Sequence, residues 1–145
     1  QIIVDCDVIQ ADGGTRAASV TAGCVALGLA LKKMMDQGLI DHMPLRHLVA
    51  GVSVGIVKGR VLLDLDYAED SQADLDMNVI ETDRGELVEV QAGAEKNPFS
   101  RKDLLTLLRL ADRGIAKIIK IQKETLKRKS ILFMAYGYKD KPAAD

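Results

Sequence analysis

The chain has 145 residues, 48% of them hydrophobic, with no Trp and a formal net charge of −1. That length allows one domain of ordinary size, with a core built from aliphatic side chains. No initiator Met or positively charged leader is present, and no apolar stretch approaches the roughly 20 residues of a membrane span, so a soluble, cytoplasmic protein without a membrane partner is expected.

In chain order, Ile2, Val4, Cys6 and Val8 alternate with Ile3, Asp5, Asp7 and Ile9, a period of two that predicts a strand. The next residues, Ala11-Asp12-Gly13-Gly14-Thr15-Arg16, stand between that run and a small-residue helix starting near Thr15. Two glycines allow a tight turn and a close backbone approach, and a helix start offers unpaired N–H groups. Thr15 adds a hydroxyl and Arg16 a planar fork of donors, which together suit a phosphate. The same residues also make a plain turn in which Asp12 or Thr15 caps the helix and Arg16 is solvated, and on these residues alone the turn takes precedence.

From Thr15 to about Asp36, Ala18, Ala22, Val25 and Leu29 recur at helical spacing, with Leu27, Leu31 and Met34 broadening the stripe, so a buried helix is predicted. Gln37-Gly38 ends it, and Pro44 marks a loop. Leu48–Val57 and Arg60–Tyr67 are predicted strands joined at Lys58-Gly59. Met77–Thr82 and Glu86–Gln91 form a second hairpin across Asp83-Arg84-Gly85. After Pro98, Ser100 and Asp103 make an approximate capping box for a second long helix, whose stripe of Leu104, Leu107, Leu108, Ala111, Ile115, Ile118, Ile119 and Gln122 continues to about Lys127. These elements define an α+β (mixed α/β) fold, with mixed or antiparallel hairpins packed against two long helices. From 130 to 145 no periodicity is sustained, and this segment is set apart as a tail. Cys6 and Cys24 lack metal-ligand spacing and are expected to pack as small hydrophobes.

Charge is separated along the chain: residues 1–95 carry 7 basic and 16 acidic side chains, residues 96–129 carry 11 and 3. The basic segment suggests a surface for a polyanion, with Lys117, Lys120, Lys123 and Lys127 on the second helix as its candidates, for RNA under the resemblance described below; a solvated helix face accounts for the same lysines. In the acidic stretch, Asp74, Asp76 and Asn78 share one face if extended, with Leu75, Met77 and Val79 on the other. Asp70 and Asp76 would lie about 20 Å apart in a straight strand, and meet only if the chain turns through Ser71-Gln72-Ala73. Brought together they would suit Mg²⁺; left apart they form a hydrated acidic loop.

Two strings, Asp5-Cys6-Asp7-Val8-Ile9-Gln10-Ala11-Asp12-Gly13-Gly14-Thr15-Arg16 and Asp66-Tyr67-Ala68-Glu69-Asp70-Ser71-Gln72-Ala73-Asp74-Leu75-Asp76-Met77-Asn78-Val79, closely resemble ribonuclease PH. The resemblance runs from about Ile2 to about Lys129 and covers the C-terminal half of that family's domain, so residues 1–129 are expected to be a half-domain lacking its N-terminal half, and 130–145 a divergent tail. It implies a phosphate-dependent 3′-to-5′ exoribonuclease that trims transfer RNA precursors and releases nucleoside diphosphates, active only with the other half. It further implies Gly14, Thr15 and Arg16 as the phosphate-binding triplet, Asp70 and Asp76 as ligands of Mg²⁺ or Mn²⁺, and Arg16, Asp70 and Asp76 as the catalytic set, with inorganic phosphate as co-substrate. RNA, the missing half and identical copies in a hexameric ring are the implied partners. The family's further phosphate-binding Arg belongs to the missing half.

This sequence departs from the family where Val90-Gln91-Ala92-Gly93-Ala94-Glu95 replaces the usual Gln-Gly-Thr-Ala-Glu, and where Ala17 replaces a Thr. Both are expected to alter packing rather than chemistry. The alternatives are a noncatalytic RNA-binding or scaffold subunit of such a ring, and an inactive fragment.

Overall fold

In the computed structural model, which describes residues 1–128, four antiparallel strands form one sheet in the order β2-β1-β3-β4. Helix α1 (Thr15–Asp36) comes first, followed by β1 (Val49–Val57), β2 (Arg60–Leu63), the short α2 (Tyr67–Asp70), β3 (Leu75–Thr82), β4 (Leu87–Ala94) and α3 (Arg101–Arg128). Lys129 and the tail set apart at 130–145 lie outside the described residues.

Turn chemistry sets both hairpins. Lys58 and Gly59 have φ of 51° and 74°, the paired positive values of a tight turn that matches strand twist, and Gly85 closes the second hairpin at φ 77°. β4 extends to Ala94 rather than ending at Gln91, with a register shift at Ile80/Glu81. The strand predicted to Tyr67 stops at Leu63 because Asp64 turns to φ 59°. Beyond it Asp66 accepts from Glu69 N and the Glu69 side chain accepts from Asp66 N, a capping box that starts α2, a helix the periodicity was too short to reveal.

The core lies between the sheet and α3. Leu107, Ala111, Ile115 and Ile119 are buried with Ala50, Val52 and Val54 of β1 and Met77 and Val79 of β3, as the predicted stripe requires. Gly114 allows close docking, since a Cβ there would lie 2.7 Å from Leu63. Ser100 and Asp103 form the expected capping box, with N–H bonds of 3.0 and 3.2 Å.

Three readings of the N-terminal region are corrected. No strand forms at Ile2–Ile9: residues 1–8 pair with no strand, and Ile3 and Ile9 are 82% and 100% exposed. Alternation supplies a face but not a neighbouring strand, and this segment lies instead on α1, with the Cys6 thiol donating to Ser19 O and Val4 over Gly23. Cys6 is exposed there and Cys24 half-buried; both are free.

Second, α1 buries Ala17, Gly23, Gly28 and Leu31, whereas Ala18, Ala22 and Leu29 of the predicted stripe are exposed. Small apolar residues surround the whole helix, so periodicity could not select its inner face. Third, α1 spans 22 residues and is apolar enough, by length and composition, to cross a membrane, contrary to the expectation that no such stretch exists. In the fold it lies along β1 and takes the place of a strand. Gly51 N donates to Thr21 Oγ1 (3.2 Å), Val49 N to Cys24 Sγ (3.3 Å), and Gln122 Nε2 of α3 donates to both Val49 O and Thr21 O (3.0 Å each). The buried edge of β1 beyond β2 is thereby satisfied by side chains.

Candidate active site

Cross-strand pairs share a sheet face, and the register lays out one polar surface. Ser53, Asn78 and Gln91 form one row across β1, β3 and β4; Gly55, Asp76 and Gly93 form the next; Gly51, Ile80 and Glu89 lie on the other side of the first. α3 covers the opposite face. Onto this surface α1 lowers its N-terminus: Ala17 rests on Gly51, and a Cβ at Gly14 would sit 2.8 Å from the buried Ser53 hydroxyl. Gly14, with φ 69°, is the N-cap and supplies no side chain to the first-turn N–H groups, so they remain available. Ser53, pinned by Leu65 N at 3.1 Å, supports the turn from below.

Arg16 reaches over β3 to β4, where its two Nη atoms donate to Glu89 Oε1 and Oε2 at 2.5 and 2.7 Å, and Nη1 lies 3.4 Å from Gln91 Oε1. The bond from Arg16 holds Glu89 below the usual carboxylate range, and the pair raises the guanidinium. Thr15 does not point a proton outward: its hydroxyl donates to Asp12 O at 2.5 Å and accepts from Asp12 N at 3.2 Å. Of the predicted triplet, Gly14 and Arg16 face the sheet surface and Thr15 braces the turn.

The turn through Ser71-Gln72-Ala73 does form, with Ser71 N, Gln72 N and Ala73 N donating to Tyr67 O, Glu69 O and Asp70 O. It returns the chain so that Asp70 acts on Asp76. Burial and then the charge of Asp70 push the Asp76 carboxyl up, a backbone bond at Met77 opposes them more weakly, and the charge of Glu95 adds the smallest push upward. Asp76 Oδ1 and Asn78 Oδ1 are buried without a hydrogen-bond partner. Asp74, expected on the same face, is drawn off to Lys96 at 3.0 Å. Among the described residues no group of three or more His, Cys, Asp or Glu side chains could hold a metal. Asp70 and Asp76, one with an orphaned buried oxygen, offer two carboxylates, which would fit a hard divalent ion that keeps water or phosphate on its other positions.

The four lysines lie elsewhere. Lys117, Lys120 and Lys127 are exposed and Lys123 lies 3.5 Å from Asp83. Lys120, Lys123 and Lys127 join Arg109 along a groove of about 880 Å³ between α3 and the β3–β4 turn, which Lys117 does not line. Any RNA they touch is on the far side of the sheet from Asp76. Lys120→Glu and Lys127→Glu should each flatten the salt dependence of single-stranded RNA binding by about 0.7 in the slope of log K against log salt, measured by fluorescence anisotropy; an unchanged slope would leave them a solvated face.

Periodicity did not mark Glu89 or Asp12. Glu89 and Gln91, two apart on an otherwise apolar strand, were the available signal for the first; an Asp before two glycines was the signal for the second.

Residues 47–114, from the segment before β1 to mid-α3, match the sequence model of the 3′ exoribonuclease family, domain 2, and this match covers Asp70 and Asp76 but not Gly14–Arg16. The α+β architecture is a ribonuclease PH-like fold. The chain is similar to the crystal structure of rice (Oryza sativa) Rrp46, with a TM-score of 0.63 at 21% identity, over 82% of this chain and 51% of that one. It thus spans about half the length of that structure.

Proposed function

We propose that this chain is half of a phosphate-dependent 3′-to-5′ exoribonuclease domain, acting on RNA such as the 3′ ends of transfer RNA precursors and releasing nucleoside diphosphates. The supporting observation is the register that sets the bare N-terminus of α1 and the orphaned Asp76 oxygen on one sheet face, one strand apart. Neighbouring strands are about 5 Å apart, the scale of two phosphates approaching one another. The first-turn amides and Arg16 hold the attacking phosphate. Asp70 and Asp76 hold Mg²⁺ or Mn²⁺, which when bound would neutralise charge on the scissile phosphodiester. No side chain forms a covalent bond, so catalysis is placement and charge screening. The domain's other half and a hexameric ring of copies complete the reading.

Supplied with the other half of the domain, the chain should shorten RNA only with inorganic phosphate present and release nucleoside diphosphate. Arg16→Ala should raise the phosphate concentration for half-maximal rate by about tenfold, because it removes a charged fork. Nucleoside monophosphate formed without phosphate would refute phosphorolysis. A second reading is a noncatalytic ring subunit that binds RNA. The engagement of Arg16 by Glu89 and of the Thr15 proton by Asp12 favours it, and RNA binding by the completed domain without any nucleotide release would establish it.

A further inference from the structure

Asp12 stands between the two parts of the candidate site. Its Oδ1 accepts from Gly13 N at 2.8 Å and from Tyr67 N, 55 residues later in the chain, at 2.5 Å. One oxygen thus bridges the turn that precedes α1 and the first residue of α2, the helix that ends in Asp70. Thr15 fixes the other side of Asp12 by its reciprocal bonds to the Asp12 N–H and C=O.

The two segments also touch without slack. A Cβ at Gly13 would lie 2.1 Å from Leu65 O and 2.7 Å from Asp66 C, so only hydrogen fits between the turn and the backbone leading into α2. α2 is held internally by its Asp66–Glu69 box. A shift of the Gly13–Gly14 turn therefore cannot be absorbed at the junction; it must move Tyr67 N or break the bond to Asp12.

We propose that Asp12 is a positioning residue that ties the anion cradle at Gly14–Arg16 to the carboxylate of Asp70, so that phosphate bound at the first is transmitted to the second. This rests on the phosphate reading above. Asp12 touches neither substrate nor the reacting atoms; it sets the spacing between the group that holds the attacking phosphate and a group that holds the metal. The relation is reciprocal, so occupancy near Asp70 also tightens the cradle.

The test is a titration of the ¹⁵N-labelled chain, completed with the unlabelled other half of the domain, with inorganic phosphate and without metal, followed by amide resonances. In the wild type the signals of residues 67–70 should move with the same saturation curve as those of residues 14–16. In Asp12→Ala only residues 14–16 should respond, with phosphate affinity several-fold weaker. Asp12→Asn, whose amide oxygen still accepts from both N–H groups, should restore the response at 67–70. Movement at 14–16 with none at 67–70 in the wild type would overturn the coupling and leave the phosphate reading intact. Equal movement at 67–70 in Asp12→Ala, or its loss in Asp12→Asn, would also overturn it, the latter by showing that charge rather than the bridging oxygen acts. Movement at neither segment would defeat the proposal and the phosphate reading together.

Discussion

In the completed domain, and on the proposed reading of Asp76 as a metal ligand, Asp76→Asn should lower turnover about 100-fold at saturating phosphate, with little change in the phosphate concentration needed, because such a ligand matters most as charge builds in the transition state. Added Mg²⁺ should recover only part of the loss. The same substitution should make the protein more stable. Burial and the Asp70 charge already disfavour ionised Asp76, so a neutral amide removes a cost that the fold carries for its site. Kinetics of RNA shortening and a thermal melt of the same preparation test both signs. A variant with normal turnover would overturn the proposed role of Asp76 as a metal ligand, and one that is less stable would show that its buried charge is no cost to the fold.

The second large effect lies on the other sheet face. Burial pushes Glu81 up from its ordinary 4.5 to about 7, helped by a side-chain bond to Asp112 and by that carboxylate's charge; the residue is 3% exposed. Its folded pKa lies above the unfolded one, so the native state holds more protons between about 4.5 and about 7, and stability falls as pH rises through that window. A displacement of this size corresponds to roughly 3 kcal/mol, an upper bound because Asp112 shares the proton. Glu81→Gln should keep the bond to Asp112, flatten the pH profile and stabilise the protein by about 2 kcal/mol at pH 8. Urea unfolding at pH 5 and pH 8 measures it, and parallel profiles for the two proteins would show that Glu81 is not the titrating group.

The parts of this molecule legible in the sequence were those set by short-range rules. Lys58-Gly59 and Asp83-Arg84-Gly85 declared their hairpins through positive φ, and Ser100 with Asp103 declared the start of α3. Alternation placed Asp76 opposite Leu75 and Met77 correctly. Where the outcome depended on a distant neighbour, pattern was not enough. Ile2–Ile9 alternates well yet meets a helix instead of a strand, and α1 is too uniformly apolar to announce which side Gly51 and Leu126 would touch. At the site, the Asp70–Asp76 approach follows from a turn that spacing could only permit. The pairing of Arg16 with Glu89 spans 73 residues, and nothing local to either predicts it. The Thr15 hydroxyl, which suits a phosphate by type, is taken by the carbonyl three residues before it.

Gln122 has a consequence for how the protein is made. Its amide ties Thr21 to Val49 across sequence separations of 101 and 73 residues, so the joint between α1 and β1 is completed only once α3 has been made. At bacterial-to-eukaryotic elongation rates of 5–20 residues per second, the edge of β1 waits on the order of 10 s for its cover. Throughout that interval the N–H groups of Val49 and Gly51 already have Cys24 and Thr21 of α1 as partners, but the Val49 carbonyl stays open to any nascent neighbour, and a ribosome stalled before Gln122 would hold the chain in that adhesive state.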